Sequence, residues 1–86
     1  MSAATQVSYA AYDSDFFRLP REVQQRIEAK LDDMGRRLAS FPHQHLTGSN
    51  RYRLRVGDYR VIYTFDVARE TIFLLAVGHR REVYRR

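Results

Sequence analysis

Between Arg21 and Ala39 the apolar residues Val23, Ile27, Leu31, Met34 and Leu38 recur at intervals of four, four, three and four, with charged residues at most positions between them. This period predicts an α-helix with one apolar stripe and a solvated side built from Arg26, Glu28, Lys30, Asp32, Asp33, Arg36 and Arg37. Asp32 with Arg36 and Asp33 with Arg37 stand four residues apart and can pair along that side. Phe41 and Pro42 end the helix. Upstream, Asp13 or Ser14 can cap a shorter helix carrying Phe16 and Phe17, which stops near Leu19. Pro20 disfavours a helical residue before it and suits the first turn of the helix that follows. Two helices joined this tightly form a hairpin, and its apolar stripe needs a sheet to lie on.

Elsewhere the period is two. Gln6–Tyr12 is rich in β-forming residues, with Val7 and Tyr9 on one face, and predicts an opening strand. His43–Asn50 is polar, contains Gly48 and has no period, which predicts a loop. Tyr52, Leu54 and Val56 then alternate with Arg51, Arg53 and Arg55, a strand with one apolar face and one face of three guanidinium groups. Gly57 and Asp58 supply a hairpin turn, Tyr59–Asp66 the returning arm, and Val67–Glu70 a second turn. Thr71–Arg80 is nearly continuous in apolar residues and therefore central in its sheet; Arg81–Arg86 is a basic tail. The order strand, helix, helix, strand, strand, strand describes an α+β fold. A helical hairpin packs on an antiparallel sheet of about four strands, in a single domain spanning residues 1–86.

Composition narrows the chemistry. The chain has no cysteine, which removes disulfides, thiolate metal sites and a thiol nucleophile together and fits a reducing, cytoplasmic setting. The first five residues carry no basic residue, and the most apolar stretch, Thr71–Gly78, is too short to span a bilayer. The net charge of +5 is unevenly placed: residues 1–50 hold six basic and six acidic residues, residues 51–86 nine arginines and four acids. Of the 15 basic residues only Lys30 is a lysine. The guanidinium fork grips phosphates at two points, so a basic half made of arginine points to an anionic polymer.

On the predicted sheet, Arg53, Arg55, Arg60, Arg80 and Arg81 gather with His79 and Tyr84. Cleaving RNA without a metal requires a base for the 2′-hydroxyl proton, cations for the phosphorane and an acid for the leaving oxygen. Arginine stays charged and supplies only the cations, which leaves His79 and Tyr84 as proton carriers and Asp58 and Glu82 in reserve. His43 and His45 stand two residues apart, but without cysteine or a nearby carboxylate pair they read as loop residues and not as metal ligands. No cofactor is expected. Tyr52, Tyr59, Tyr63 and Phe65 read as core.

The stretch YRLRVGDYRVIY, from Tyr52 to Tyr63, and the ending VGHRREVY, from Val77 to Tyr84, closely resemble the RelE branch of the RelE/ParE toxins of type II toxin–antitoxin pairs. The resemblance extends to FRLPREVQQRI on the helices and to Leu46 and Gly48 before the hairpin. It implies a fold like the small microbial ribonucleases and a ribosome-dependent messenger RNA endonuclease, acting in the ribosomal A site and silenced by a RelB-like antitoxin in a hetero-oligomer. On that likeness Arg53 and Arg55 match two basic positions that are lysines in the best-known members. Arg60 matches the arginine at the scissile phosphate, Arg80 the arginine of the last strand, and Tyr84 the late tyrosine. Arg51 and Arg81 extend the phosphate-binding set. Arginine at both lysine positions makes a poor general base, and relatives ending in HR or HY suggest His79 for that work, shared with Tyr84. Two alternatives carry different outcomes: a ParE-like poison of DNA gyrase that cuts no RNA, and an inactive relative that only binds an antitoxin.

Overall fold

The apolar stripe predicted for the long helix finds its sheet. A computed structural model describes residues 3–83 and gives the order β1 (Thr5–Ser8), α1 (Ala10–Phe16), α2 (Arg21–Arg36), β2 (Gln44–His45), β3 (Tyr52–Val56), β4 (Tyr59–Asp66) and β5 (Thr71–His79). The strands form one five-stranded sheet in the order β1-β5-β4-β3-β2. Val23, Ile27, Leu31 and Met34 of α2 pack with Tyr12 and Phe16 of α1 against Leu54, Val56, Val61, Tyr63, Ile72, Leu74 and Val77 of the sheet. Ile27, Met34, Val61, Tyr63 and Ile72 are wholly buried there. The predicted Asp33–Arg37 pair forms at 2.8 Å, and this hydrogen bond from Arg37 holds the Asp33 carboxyl below its ordinary range. Asp32 instead accepts a bond from Gln6 Nε2 at 3.3 Å.

Three expectations change. The opening strand ends at Ser8, and α1 begins at Ala10 with Tyr9 as its N-cap and no side-chain cap, so Asp13 lies in its first turn. Tyr12 and Phe16, one turn apart, stack at 5.5 Å and are both buried, a stronger tie than the β-propensity of a lone tyrosine. Next, the sheet is mixed: β1 runs parallel to β5, from Thr5 opposite Thr71 to Ser8 opposite Leu74. The helical hairpin carries the chain away from β1, so no tight turn forces antiparallel pairing on it. Last, the loop at 43–50 contains β2, which pairs Gln44 with Arg53 and His45 with Tyr52.

His43 is no idle loop residue. Its Nε2 is 2.8 Å from Leu38 O and its Nδ1 2.7 Å from Tyr63 Oη, and its ring stacks on Phe65 at 3.8 Å. A carbonyl only accepts, so Nε2–H donates to Leu38 and Tyr63 O–H donates to Nδ1. The imidazole thereby pins the end of α2 to β4.

The β3–β4 hairpin follows the predicted register, with Val56 opposite Tyr59 and Arg55 opposite Arg60. Gly57 has φ of 59°, a left-handed conformation that a two-residue hairpin turn requires. Between β4 and β5 the register shifts: Ile62 faces Ala76 but Tyr63 faces Leu74, so Leu75 is an extra residue.

Candidate functional site

Alternation along β3 sends Leu54 and Val56 under α2 and Arg53 and Arg55 to the opposite face. The register carries this across the sheet: Arg55, Arg60 and Gly78 form one row, Arg53, Ile62 and Ala76 the next. Directly opposite positions place Cβ atoms about 5 Å apart, so Arg55 and Arg60 are cross-strand neighbours on the face away from α2. Two like charges in that position cost free energy unless an anion binds or one is otherwise engaged.

Arg60 is engaged. It is 9% exposed, the one buried charged side chain among the described residues, and its Nη1 donates to Gly57 O and Tyr59 O, both at 2.9 Å. These two bonds fold the guanidinium back onto the hairpin turn and fix its orientation. Val83 lies over Gly78, 3.7 Å from where a Cβ would stand, so the chain end covers the strand position next to Arg60. Arg55 is exposed and Arg53 half-buried; Arg53 Nε donates to Gln44 Oε1 at 3.3 Å.

Beside this row lies an open groove of about 590 Å³ lined by Ala11, Leu46, Arg51, Ile62, Ala76 and Val83 among others. It gives Arg51 a place on the same surface. Arg80 sits just past β5 at the hairpin end, where its N–H donates to Asp58 O at 2.8 Å and its Nη1 stands 4.0 Å from Asp58 Oδ1. Asp58 is thus a partner of Arg80, at the turn. Arg81 and Glu82 are exposed in the turn that follows.

His79 goes elsewhere. It faces Tyr59 across the sheet, on the side covered by the helices, with the two rings 5.7 Å apart and nearly perpendicular. Its Nδ1 accepts the Arg81 N–H at 3.2 Å, and its surroundings include Arg18, Pro20, Tyr59 and Glu82. The fold therefore brings Arg51, Arg53, Arg55 and Arg60 to one surface, holds Arg80 at its end, and turns the His79 ring to the other. Tyr84 lies outside the described residues. Among the described residues no group of three or more His, Asp or Glu side chains is placed to hold a metal ion, and no helix is long and apolar enough to cross a membrane. Lys30 and Gln44 both stand beside β3; the sequence marks Lys30 only as part of the solvated helix side, and the two-residue strand that carries Gln44 is too short to show a period.

Residues 10–84 of the chain match the family model of the ParE toxin of type II toxin–antitoxin systems. The chain belongs to the RelE/ParE toxin superfamily. No curated protein matches it in sequence. Among solved structures it is similar to a chain of the toxin–antitoxin complex RelBE2 from Mycobacterium tuberculosis, at 22% identity and a TM-score of 0.78, covering 95% of this chain and 97% of that one. It is also similar to a double-arginine mutant of the Escherichia coli toxin RelE in the free state, at 17% identity and a TM-score of 0.78, covering 96% and 92%. The archaeal RelE–RelB complex from Pyrococcus horikoshii OT3 matches at 22% identity and a TM-score of 0.73, covering 94% and 99%. These RelE/ParE relatives share the two helices on a mixed five-stranded sheet, and at such identities they speak for the fold alone.

Proposed function

We propose that this toxin is a metal-independent messenger RNA endonuclease that acts on the ribosome and is neutralised by a RelB-like antitoxin. The observation that carries the reading is the cross-strand pair Arg55 and Arg60, flanked by Arg53 on the sheet face away from the helices. A phosphodiester laid on that row meets several guanidinium groups whose charge is fixed, and Arg60 is already oriented by its turn carbonyls. Such cations stabilise the dianionic phosphorane without reorganising at the moment of reaction. In this reading Arg60 and Arg80 stabilise the reacting phosphate and Arg51, Arg53, Arg55 and Arg81 hold the strand. Tyr84 takes the 2′-hydroxyl proton and returns it to the leaving 5′-oxygen; it follows Val83, which lies on the arginine face. His79, on the helix side, is left with a structural part. Solved neighbours described as RelB–RelE complexes support an antitoxin of that type as partner.

The family model itself favours a second reading, a ParE-type poison of DNA gyrase that binds through the same face and cuts no RNA. One experiment separates them. The toxin is added to a reconstituted translation system with one defined messenger, and new 5′ ends are mapped by primer extension beside a gyrase cleavage assay. Cuts at A-site codons that vanish in Arg55→Gln and Tyr84→Phe proteins establish the nuclease. Intact messenger with trapped gyrase–DNA breaks establishes the poison instead.

A further inference from the structure

Because β2 starts only at Gln44, opposite Arg53, the outer edge of β3 beyond Arg53 has no strand partner, and α2 with the segment after it comes up against that edge. Between them is a notch of about 140 Å³ lined by Lys30, Arg53, Arg55 and Gln44 together with Phe41 and Leu54. Three of its four polar side chains are positive and none of its lining is acidic. Lys30 Nζ donates one hydrogen bond to Arg55 O at 3.2 Å, which leaves two ammonium protons. Arg53 Nε is tied to Gln44 Oε1 at 3.3 Å, which leaves both ends of its fork.

No acid answers these cations. The ion pairs among the described residues join Arg37 to Asp33, Arg69 to Asp66 and Arg80 to Asp58. Asp33 feels the charge of Lys30, yet its carboxylate is hydrogen-bonded to Arg37. A small anion with several acceptor oxygens satisfies an ammonium and an arginine fork at once, and a phosphate group is such an anion.

We infer that the notch is a phosphate subsite for single-stranded RNA, holding a backbone phosphate one step along the chain from the one at Arg60. This rests on the reading that RNA lies along the arginine face. Arg53 and Arg55 serve both places, so a strand running past them toward the sheet edge delivers its next phosphate to Lys30. The only lysine of the chain thereby becomes an RNA contact, and Gln44 becomes a positioning residue for Arg53.

The test measures binding of a short RNA blocked by 2′-methoxy groups to the full chain across a series of salt concentrations. Lys30→Gln is expected to weaken binding several-fold and to reduce the slope of log K against log salt by about 0.7, the share of one single-strand phosphate contact. Gln44→Ala removes no charge and should lower affinity with the slope unchanged. Arg69→Gln, in the exposed turn before β5, should behave as wild type. Lys30 and Gln44 are exposed, and thermal melting confirms that the variants fold. A wild-type slope in Lys30→Gln beside a reduced slope in Arg53→Gln would overturn the notch and leave the arginine face standing. Wild-type slopes in both would overturn the two together. Inorganic phosphate, followed by the Arg55 amide and Lys30 side-chain resonances, should be displaced by the RNA; phosphate that RNA cannot displace would also overturn the assignment.

Discussion

Arg60→Ala separates what this arginine does for the fold from the part proposed for it at the phosphate. The substitution deletes two hydrogen bonds of 2.9 Å from a guanidinium only 9% exposed. Bonds from a charged donor contribute roughly 1.5–3 kcal/mol each, net of water. Gly57 is exposed and its carbonyl recovers a water partner, so the loss should fall short of the sum, at about 2–3 kcal/mol. With a urea m-value near the low end of the usual range, about 1 kcal/mol/M for so short a chain, the unfolding midpoint should drop by about 2–3 M. Arg60→Lys keeps the charge and can reach one carbonyl, and should lose roughly half as much. Domains of this kind are stable by about 5–15 kcal/mol, so Arg60→Ala remains folded without denaturant, and its activity there reports on the phosphate alone. Chemical denaturation followed by circular dichroism decides the matter. A midpoint within about 0.3 M of wild type would show that the turn does not depend on these bonds, and the orientation argued for Arg60 would fall with it.

Other expectations follow from single contacts. His43→Phe keeps the stack on Phe65 but strands Tyr63 Oη and Leu38 O, and should cost about 2–4 kcal/mol in a thermal or urea melt without changing RNA affinity. Burial pushes the Tyr12 and Tyr63 phenols well above their ordinary value of 10. Below pH 10 both states are neutral and stability is flat; above it only the unfolded chain ionises, so stability should fall by roughly 1.4 kcal/mol per pH unit for each of the two. Tyrosinate absorbance that rises for these two rings before the fold melts would contradict this. Gly57→Ala meets both a φ of 59° and Arg26 Nη2 at 3.1 Å. The arginine tip can swing away but the backbone cannot, so a loss of about 1–2 kcal/mol should persist in an Arg26→Ala background, as urea unfolding would show.

The long helix was legible because its stripe is regular, and the β3–β4 hairpin because Gly57–Asp58 admits one register, which fixed Arg55 opposite Arg60. The extent of the opening strand was not, because Val7, Tyr9 and Tyr12 carry β-propensity while the burial of Tyr12 and Phe16 against the sheet, which wins, is a tertiary effect. Nor was the role of His43. A polar loop residue acquires such partners only when Leu38, past the end of α2, meets Tyr63 and Phe65 of β4. Lys30 shows the same limit in the candidate site: on the helix it reads as one more solvated charge, and only the late start of β2, at Gln44, exposes the edge it reaches.

The place of His79 turns on one residue. Across the hairpin, Val56 faces Tyr59, so Tyr59 shares the core face of Val56. On β5 the core-facing residues are Ile72 and Leu74, then Val77, because Leu75 is the extra residue opposite the step from Ile62 to Tyr63. Had β5 kept its starting phase, positions 76, 78 and 80 would face the helices, and His79 would stand on the arginine face as the sequence alone suggested. The bulge inverts that parity for everything after it. Val77 gains the core, His79 goes with it to Tyr59, and Gly78 takes the place beside Arg60, with Val83 packed next to it. The arginine row thus owes its shape to a register shift some distance along the strand. A site built of charge and glycine, with its histidine turned away, is suited first to holding a phosphate.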